Sequence, residues 1–298
     1  MTITRNPMSL CHEVIRQGRK NLHVVAHSQG QALDMLIGAG AVSIVEIAYG
    51  GTARFSPGGG PCFKRAIEKG RIKFEDYSNF QISLRFLAGA MGIPFMPLHA
   101  SLETDLVKRW GISASERRKN EKLPIKKLDV IENPFARGEA ENLIAVPALN
   151  PDVTMIHAHQ ADAEGTVRIK GLTFTDVEQV KASKHVIVSC EELVEPGFLR
   201  EDPMQNQIPF FMVDAVVPMP YGAHPTACYG YYDYDPVHLK LYAEKARHEA
   251  SLKEYLTTFV YGTRDHVEYL SQVGEEALAR IKADPETGYT PGLDRSGE

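Results

Sequence analysis

From Met8 onward, Met8, Leu10, Cys11, Val14 and Ile15 recur at helical spacing behind Asn6-Pro7, an N-cap residue followed by proline at the first helical position. Gly18 closes this segment, so a helix is predicted from Pro7 to Gln17. Short apolar runs from Leu22 to Ala26, Val42 to Tyr49 and Ile93 to Leu98 read as strands. Between them, 31–39, 63–69 and 79–91 carry helix-period patterns, the first two closed by Gly40 and Gly70. Strands alternating with helices predict an α/β fold: a largely parallel central sheet covered by helices on both faces.

The stretch 115–127, SERRKNEKLPIKK, is too polar to look like core and is expected to cross the surface as a long connection. Further strands are expected at 143–147, 153–158, 186–190 and 212–217, with a helix over 176–184. After Asp235-Pro236 the apolar spacing becomes helical, and a helical C-terminal extension is expected over about 236–298. No internal repeat divides the chain, which reads as one domain spanning 1–298.

Composition narrows the class further. The chain has 298 residues, 43% hydrophobic and 24% charged, enough to bury a substantial core. Its net charge of -5, with Lys and Arg scattered, leaves no footprint for a nucleic-acid backbone. No apolar run reaches the roughly 18 residues of a membrane span, and the N-terminus lacks signal-peptide character, so a cytoplasmic location is expected. Cys11, Cys62, Cys190 and Cys228 are far apart with no C-x-x-C pair, which fits reduced thiols rather than a zinc site or a disulfide framework.

Several local patterns carry candidate chemistry. Ala26-His27-Ser28-Gln29-Gly30 looks like a G-x-S-x-G nucleophile elbow with alanine in the first place, but that fold needs several strands upstream of its serine. His157 and His159 alternate on a predicted strand and share a face, which suits either two metal ligands or two packed core histidines. No third ligand is apparent, and no metal site is assigned. Glu191 and Glu192 point to opposite faces and are poorly placed as an acid–base pair. Gly50-Gly51 and Ser56-Pro57-Gly58-Gly59-Gly60 follow a strand and could turn backbone N–H groups toward an anion, or form only a flexible loop. Asn79 fits a helix N-cap. Glu103 lies just beyond a strand end, where it could activate a water or simply be solvated.

The string IPFFMVDAVVPMPYGAHPTACYGYYDYD at 208–235, with Ile131-Glu132-Asn133-Pro134-Phe135, His157-Ala158-His159-Gln160, Gly165-Thr166-Val167-Arg168-Ile169, Ser189-Cys190-Glu191-Glu192 and Asp214-Ala215-Val216-Val217, resembles the A subunits of family I CoA-transferases. The resemblance covers nearly the whole chain. It implies a CoA-transferase fold and a coenzyme A thioester as substrate, with no tightly bound cofactor. A glutaconate-like dicarboxylate is the acyl group it best suggests. In two-subunit members the nucleophilic Glu belongs to the B subunit, and nothing here resembles its motif. The resemblance therefore implies a hetero-oligomer with such a partner.

By the same resemblance Asn79 stands where the family has a Gln whose amide helps to form the oxyanion hole, one methylene longer. Gly50, Gly51, Ser56, Gly58, Gly59, Gly60 and His99 fall in the substrate-binding region. Glu103 stands where a small residue is common; ring-cleaving acyl-CoA hydrolases of steroid catabolism share the scaffold and would need such a base. A non-catalytic assembly role is a third reading. The A-subunit signature, a strand ending in Gly-Gly-Phe, is matched only at its tail by Thr2 to Pro7, with Met1 at the place of the Phe. A start codon further upstream is expected, as is an open sheet edge where that strand would pair.

Overall fold

The computed structural model describes residues 2–138 and 141–295. Its first unit contains α1 (Met8–Arg16), β1 (Leu22–Gln29), α2 (Gln31–Gly38), β2 (Val42–Gly50), α3 (Pro61–Glu68), β3 (Lys73–Asp76) and α4 (Asn79–Met91). The three strands are parallel, with β2 in the middle. Strand alternation sorts β2 by face. Val45 and Ile47 join Leu33, Met35 and Cys62 of α2 and α3 in one core, while Ala48 packs with Ile82 and Phe86 of α4. Glu46, also on the α4 side, is buried but answered by Arg85 Nη1 at 2.7 Å and His23 Nε2 at 2.9 Å. The sheet is thus covered on both sides.

Among the described residues, β1 pairs with no strand besides β2. The segment entering α1 bridges to Ala227 instead: Ala227 N donates to Ile3 O at 3.0 Å and Arg5 N donates to Ala227 O at 2.8 Å. Met1, matched above to the signature Phe, lies outside the described residues.

The chain continues through β4 (Phe95–Leu98), α5 (Asp105–Lys108), α6 (Ala114–Arg118), β5 (Asp129–Glu132) and β6 (Asn142–Pro147). These strands form an antiparallel sheet with β6 at its centre. β5, with the sequence DVIE, is too polar to show as a strand. The hydrophilic stretch 115–127 is not a plain surface connection. Arg117 and Lys127 are fully buried on either side of a fully buried Glu75, with contacts of 2.5 and 3.2 Å. Glu75 also accepts from Gly111 N at 2.9 Å and Ile112 N at 3.2 Å. Hydropathy scores each charge alone, whereas burial is tolerated when opposite charges and hydrogen bonds answer it.

A mixed five-stranded sheet follows, ordered β10-β8-β7-β9-β11. It is built from β7 (Val153–Asp162), β8 (Val167–Arg168), β9 (His185–Val194), β10 (Asn206–Ile208) and β11 (Ala215–Pro218), with α7 (Asp176–Ala182) and α8 (Pro196–Arg200) in the connections. The strand expected from Met212 begins only at Ala215, because Phe210–Met212 forms a 3₁₀ turn behind Pro209.

Last come α9 (Pro236–Lys245), α10 (Glu249–Leu256), α11 (His266–Val273) and α12 (Glu275–Ile281). The helices stop at Ile281 rather than running to the end; Pro285, Gly288, Pro291 and Gly292 break the remaining pattern. They pack on the first unit: Tyr242, Leu252, Tyr255 and Leu256 complete the core around α2 and α3. No described helix is long and apolar enough to cross a membrane.

Candidate functional site

Open parallel sheets bind ligands beyond the carboxyl ends of their strands. In this chain β1, β2 and β3 finish side by side, Ser28 paired with Tyr49, Gln29 with Gly50 and Ile47 with Asp76. Just beyond β3, Ser78 caps α4. Its hydroxyl accepts from Gln81 N at 3.1 Å, and Gln81 Oε1 accepts from Ser78 N at 2.9 Å. The cap is therefore Ser78, and Asn79 is the first helical residue, with an exposed side chain. Its Oδ1 accepts from Ser28 Oγ at 3.3 Å, and Ser28 Oγ lies 3.1 Å from His27 Nδ1.

Ser28 does not have the geometry of a nucleophile elbow. It sits in extended strand, in register with Tyr49, and the turn into α2 falls on Gly30. Its histidine neighbour is the adjacent residue, with no carboxylate bonded to it among the described residues. Burial lowers the pKa of His27.

The glycine loop leaves and returns to the end of β2. Gly51 N donates to Gln29 O at 2.9 Å, Gly60 N to Gly50 O at 3.0 Å and Gly59 N to Ser56 O at 3.1 Å. Gly51 N is thus spent on β1 and the N–H groups of Gly59 and Gly60 inside the loop, so none of the three is left to bind an anion. Ser56 is buried; its Oγ accepts from Thr52 N at 2.9 Å and so ties the loop together. Gly58, at φ +84 with open space around it, is the outward tip. Close packing explains the glycines: a Cβ on Gly51 would lie 3.0 Å from Gly59 Cα, and one on Gly60 would lie 2.2 Å from Asp34 Oδ1. Asp34, which nothing in the sequence singles out, accepts from Phe63 N at 2.8 Å and Tyr242 Oη at 2.7 Å. It thereby anchors the start of α3 to α9. Burial raises its pKa, against those hydrogen bonds.

His99 and Glu103 follow β4. Both are exposed, and neither bonds to His27, Ser28 or Asn79. His99 Nδ1 lies 3.5 Å from Glu141 Oε1. Glu103 has no hydrogen-bond partner among the described residues, while its neighbour Leu102 packs against the core of Leu98, Leu128, Ile144 and Val146.

The two histidines of β7 are core groups. His157 Nδ1 is 2.9 Å from Ser189 Oγ, and its Nε2 is 2.6 Å from Glu191 Oε1. Glu191 also accepts from Tyr232 Oη and, at 2.8 Å, from Tyr221 N. Glu192 faces the other way and takes Gln160 Nε2 at 2.8 Å. His159 Nδ1 accepts from Lys170 N at 3.0 Å. Burial first, then the charge of Arg5, lowers its pKa to about 3. Two triples have ligand-like donors within 4.8 Å of one another: His157, Glu191 and Cys228, and His224, Asp235 and His238. Their histidine and carboxylate groups are already hydrogen-bonded within the protein, so a cation would have to displace those bonds.

Comparison with known proteins places this architecture. The chain is 39% identical over 291 residues to the A subunit of glutaconate CoA-transferase from Acidaminococcus fermentans, covering 97% of this chain and 89% of that protein. The crystal structure of glutaconate coenzyme A-transferase from the same organism superposes with a TM-score of 0.94 at 38% identity, covering 100% of this chain and 92% of that one. A more distant relative, the IpdA subunit of a cholesterol ring-cleaving hydrolase from Rhodococcus jostii, is 31% identical, over 88% of this chain and 84% of that protein. The model of the coenzyme A transferase family matches residues 1–218, and with these likenesses in sequence and fold the chain belongs to that family.

Proposed function

We propose that the chain is the A subunit of a heteromeric CoA-transferase that moves CoA between an acyl-CoA and a carboxylic acid, with a glutaconate-like dicarboxylate as the acyl group. The relative with 39% identity supports that substrate class. A single observation carries the site assignment: Asn79 is relieved of helix capping by Ser78 and stands exposed at the carboxyl edge of the parallel sheet. A primary amide there donates to the thioester oxygen as negative charge develops. The 50–60 loop, which follows β2 at the same end of the sheet, shapes the acyl pocket. The nucleophile, a Glu attacking the thioester and carrying CoA as a glutamyl thioester, comes from the partner subunit.

Hydrolysis is the rival reading. It would ask Glu103 to activate water, yet Glu103 has no hydrogen-bond partner among the described residues to orient it, and the hydrolase relative is the more distant one. The test is reconstitution. The purified chain alone is expected to transfer no CoA, and transfer is expected on mixing with its partner subunit; turnover by the single chain at ordinary enzyme rates would overturn the proposal.

A further inference from the structure

An amide at the edge of a cleft has two unlike ends. Only the Nδ2 end can stabilise an oxyanion; Oδ1 presented to the same spot would repel it. Asn79 is exposed at the first position of α4, and no backbone group of its own helix fixes its orientation. The group that does so comes from β1, 51 residues earlier: Ser28 Oγ, 3.3 Å from Asn79 Oδ1. We infer that Ser28 is a positioning residue for catalysis, its hydroxyl holding Asn79 Oδ1 inward so that Nδ2 faces the thioester.

The inference rests on the oxyanion role of Asn79 proposed above, and the geometry around Ser28 suits the task. Ser28 is fixed in the β1–β2 register opposite Tyr49. A hydroxyl has one proton, and with that proton given to Asn79 Oδ1 it can only accept from its other neighbour, His27 Nδ1 at 3.1 Å. His27 in the Nδ1–H tautomer then donates to Ser28, and Ser28 donates to Asn79. The three side chains form one directional chain of hydrogen bonds ending at the amide. The opposite tautomer would draw the Ser28 proton to His27 and leave Asn79 free to turn its oxygen outward.

The test uses the chain assembled with its partner subunit, comparing Ser28→Ala, Ser28→Thr, Asn79→Ala and the Ser28→Ala/Asn79→Ala double variant. Ser28→Ala is expected to lower kcat about tenfold, with the KM for acyl-CoA unchanged. Ser28→Thr, which keeps a hydroxyl, is expected to restore most of kcat. The double variant is expected to be no slower than Asn79→Ala, because a positioning group has nothing left to position. If Asn79→Ala slows turnover but Ser28→Ala does not, the inference fails while the role of Asn79 stands. Threonine failing to rescue, or additive losses in the double variant, also overturns it. An unaltered rate for Asn79→Ala overturns both readings.

Discussion

Arg117 Nη2 lies 2.5 Å from Glu75 Oε2, with both side chains fully buried and 42 residues apart in sequence. Lys127 Nζ approaches the other oxygen of Glu75 at 3.2 Å, and both Lys127 and Arg85 lie by the Tyr77 ring, with cation-to-ring distances of 5.2 and 4.3 Å. Glu75 belongs to β3, only four positions before Asn79. The ion cluster therefore holds the strand end that presents the amide.

Removing Glu75 leaves the buried charges of Arg117 and Lys127 without the carboxylate they share. Glu75→Gln is expected to destabilise the chain by about 3–5 kcal/mol, read from urea unfolding at neutral pH. A loss below about 1 kcal/mol, the range of exposed pairs, would show that the cluster is not what holds the end of β3.

Asn79→Ala is expected to lower kcat by about one to three orders of magnitude, the scale for a lost oxyanion donor. The KM for CoA substrates should change little, since the amide interacts more strongly with the transition state than with the ground state. Steady-state kinetics on the two-subunit complex give both numbers, and a raised KM with an unchanged kcat would reassign Asn79 to ordinary binding.

Glu103→Gln separates transfer from hydrolysis. A glutamyl thioester carries CoA without an activated water, so the variant is expected to keep near-normal transfer. Abolished turnover in a folded complex, with the unsubstituted complex hydrolysing acyl-CoA in the absence of any acceptor acid, would favour the hydrolase reading.

The buried histidines set an acid limit on stability. His159 and His238 each have a pKa lowered from 6.5 to about 3; burial is the main cause in both, followed by Arg5 for His159 and by His224, against Asp235, for His238. Above pH 6.5 both states are neutral and the groups contribute no pH dependence. As pH falls from 6.5 toward 3, the unfolded chain takes up protons that the folded chain refuses, and stability declines. Urea midpoints measured between pH 8 and 4.5 should fall accordingly, and His159→Gln should flatten that slope. An equally steep slope in the variant would exclude His159 as a source.

Patterning alone located what depends on local periodicity. The helix from Asn79 to Met91 is found at those bounds, and β1, β2, α1 and α2 lie within a few residues of expectation. Motif resemblance pointed to the CoA-transferase family; several of its strings lie in β7, β9 and the 218–235 loop, where Glu191 is bonded by His157 and Tyr232. Tertiary structure decided the rest, since charge pairing and relief from capping are relations between distant residues. Lys and Arg in 115–127 read as solvent-facing until Glu75 is placed among them. Asn79 reads as a cap until Ser78 and Gln81 are seen to close the helix. Ser28 reads as a nucleophile or a bystander until the parallel register of β1 and β2 carries it to the start of α4, where one hydroxyl proton sets the direction of an amide.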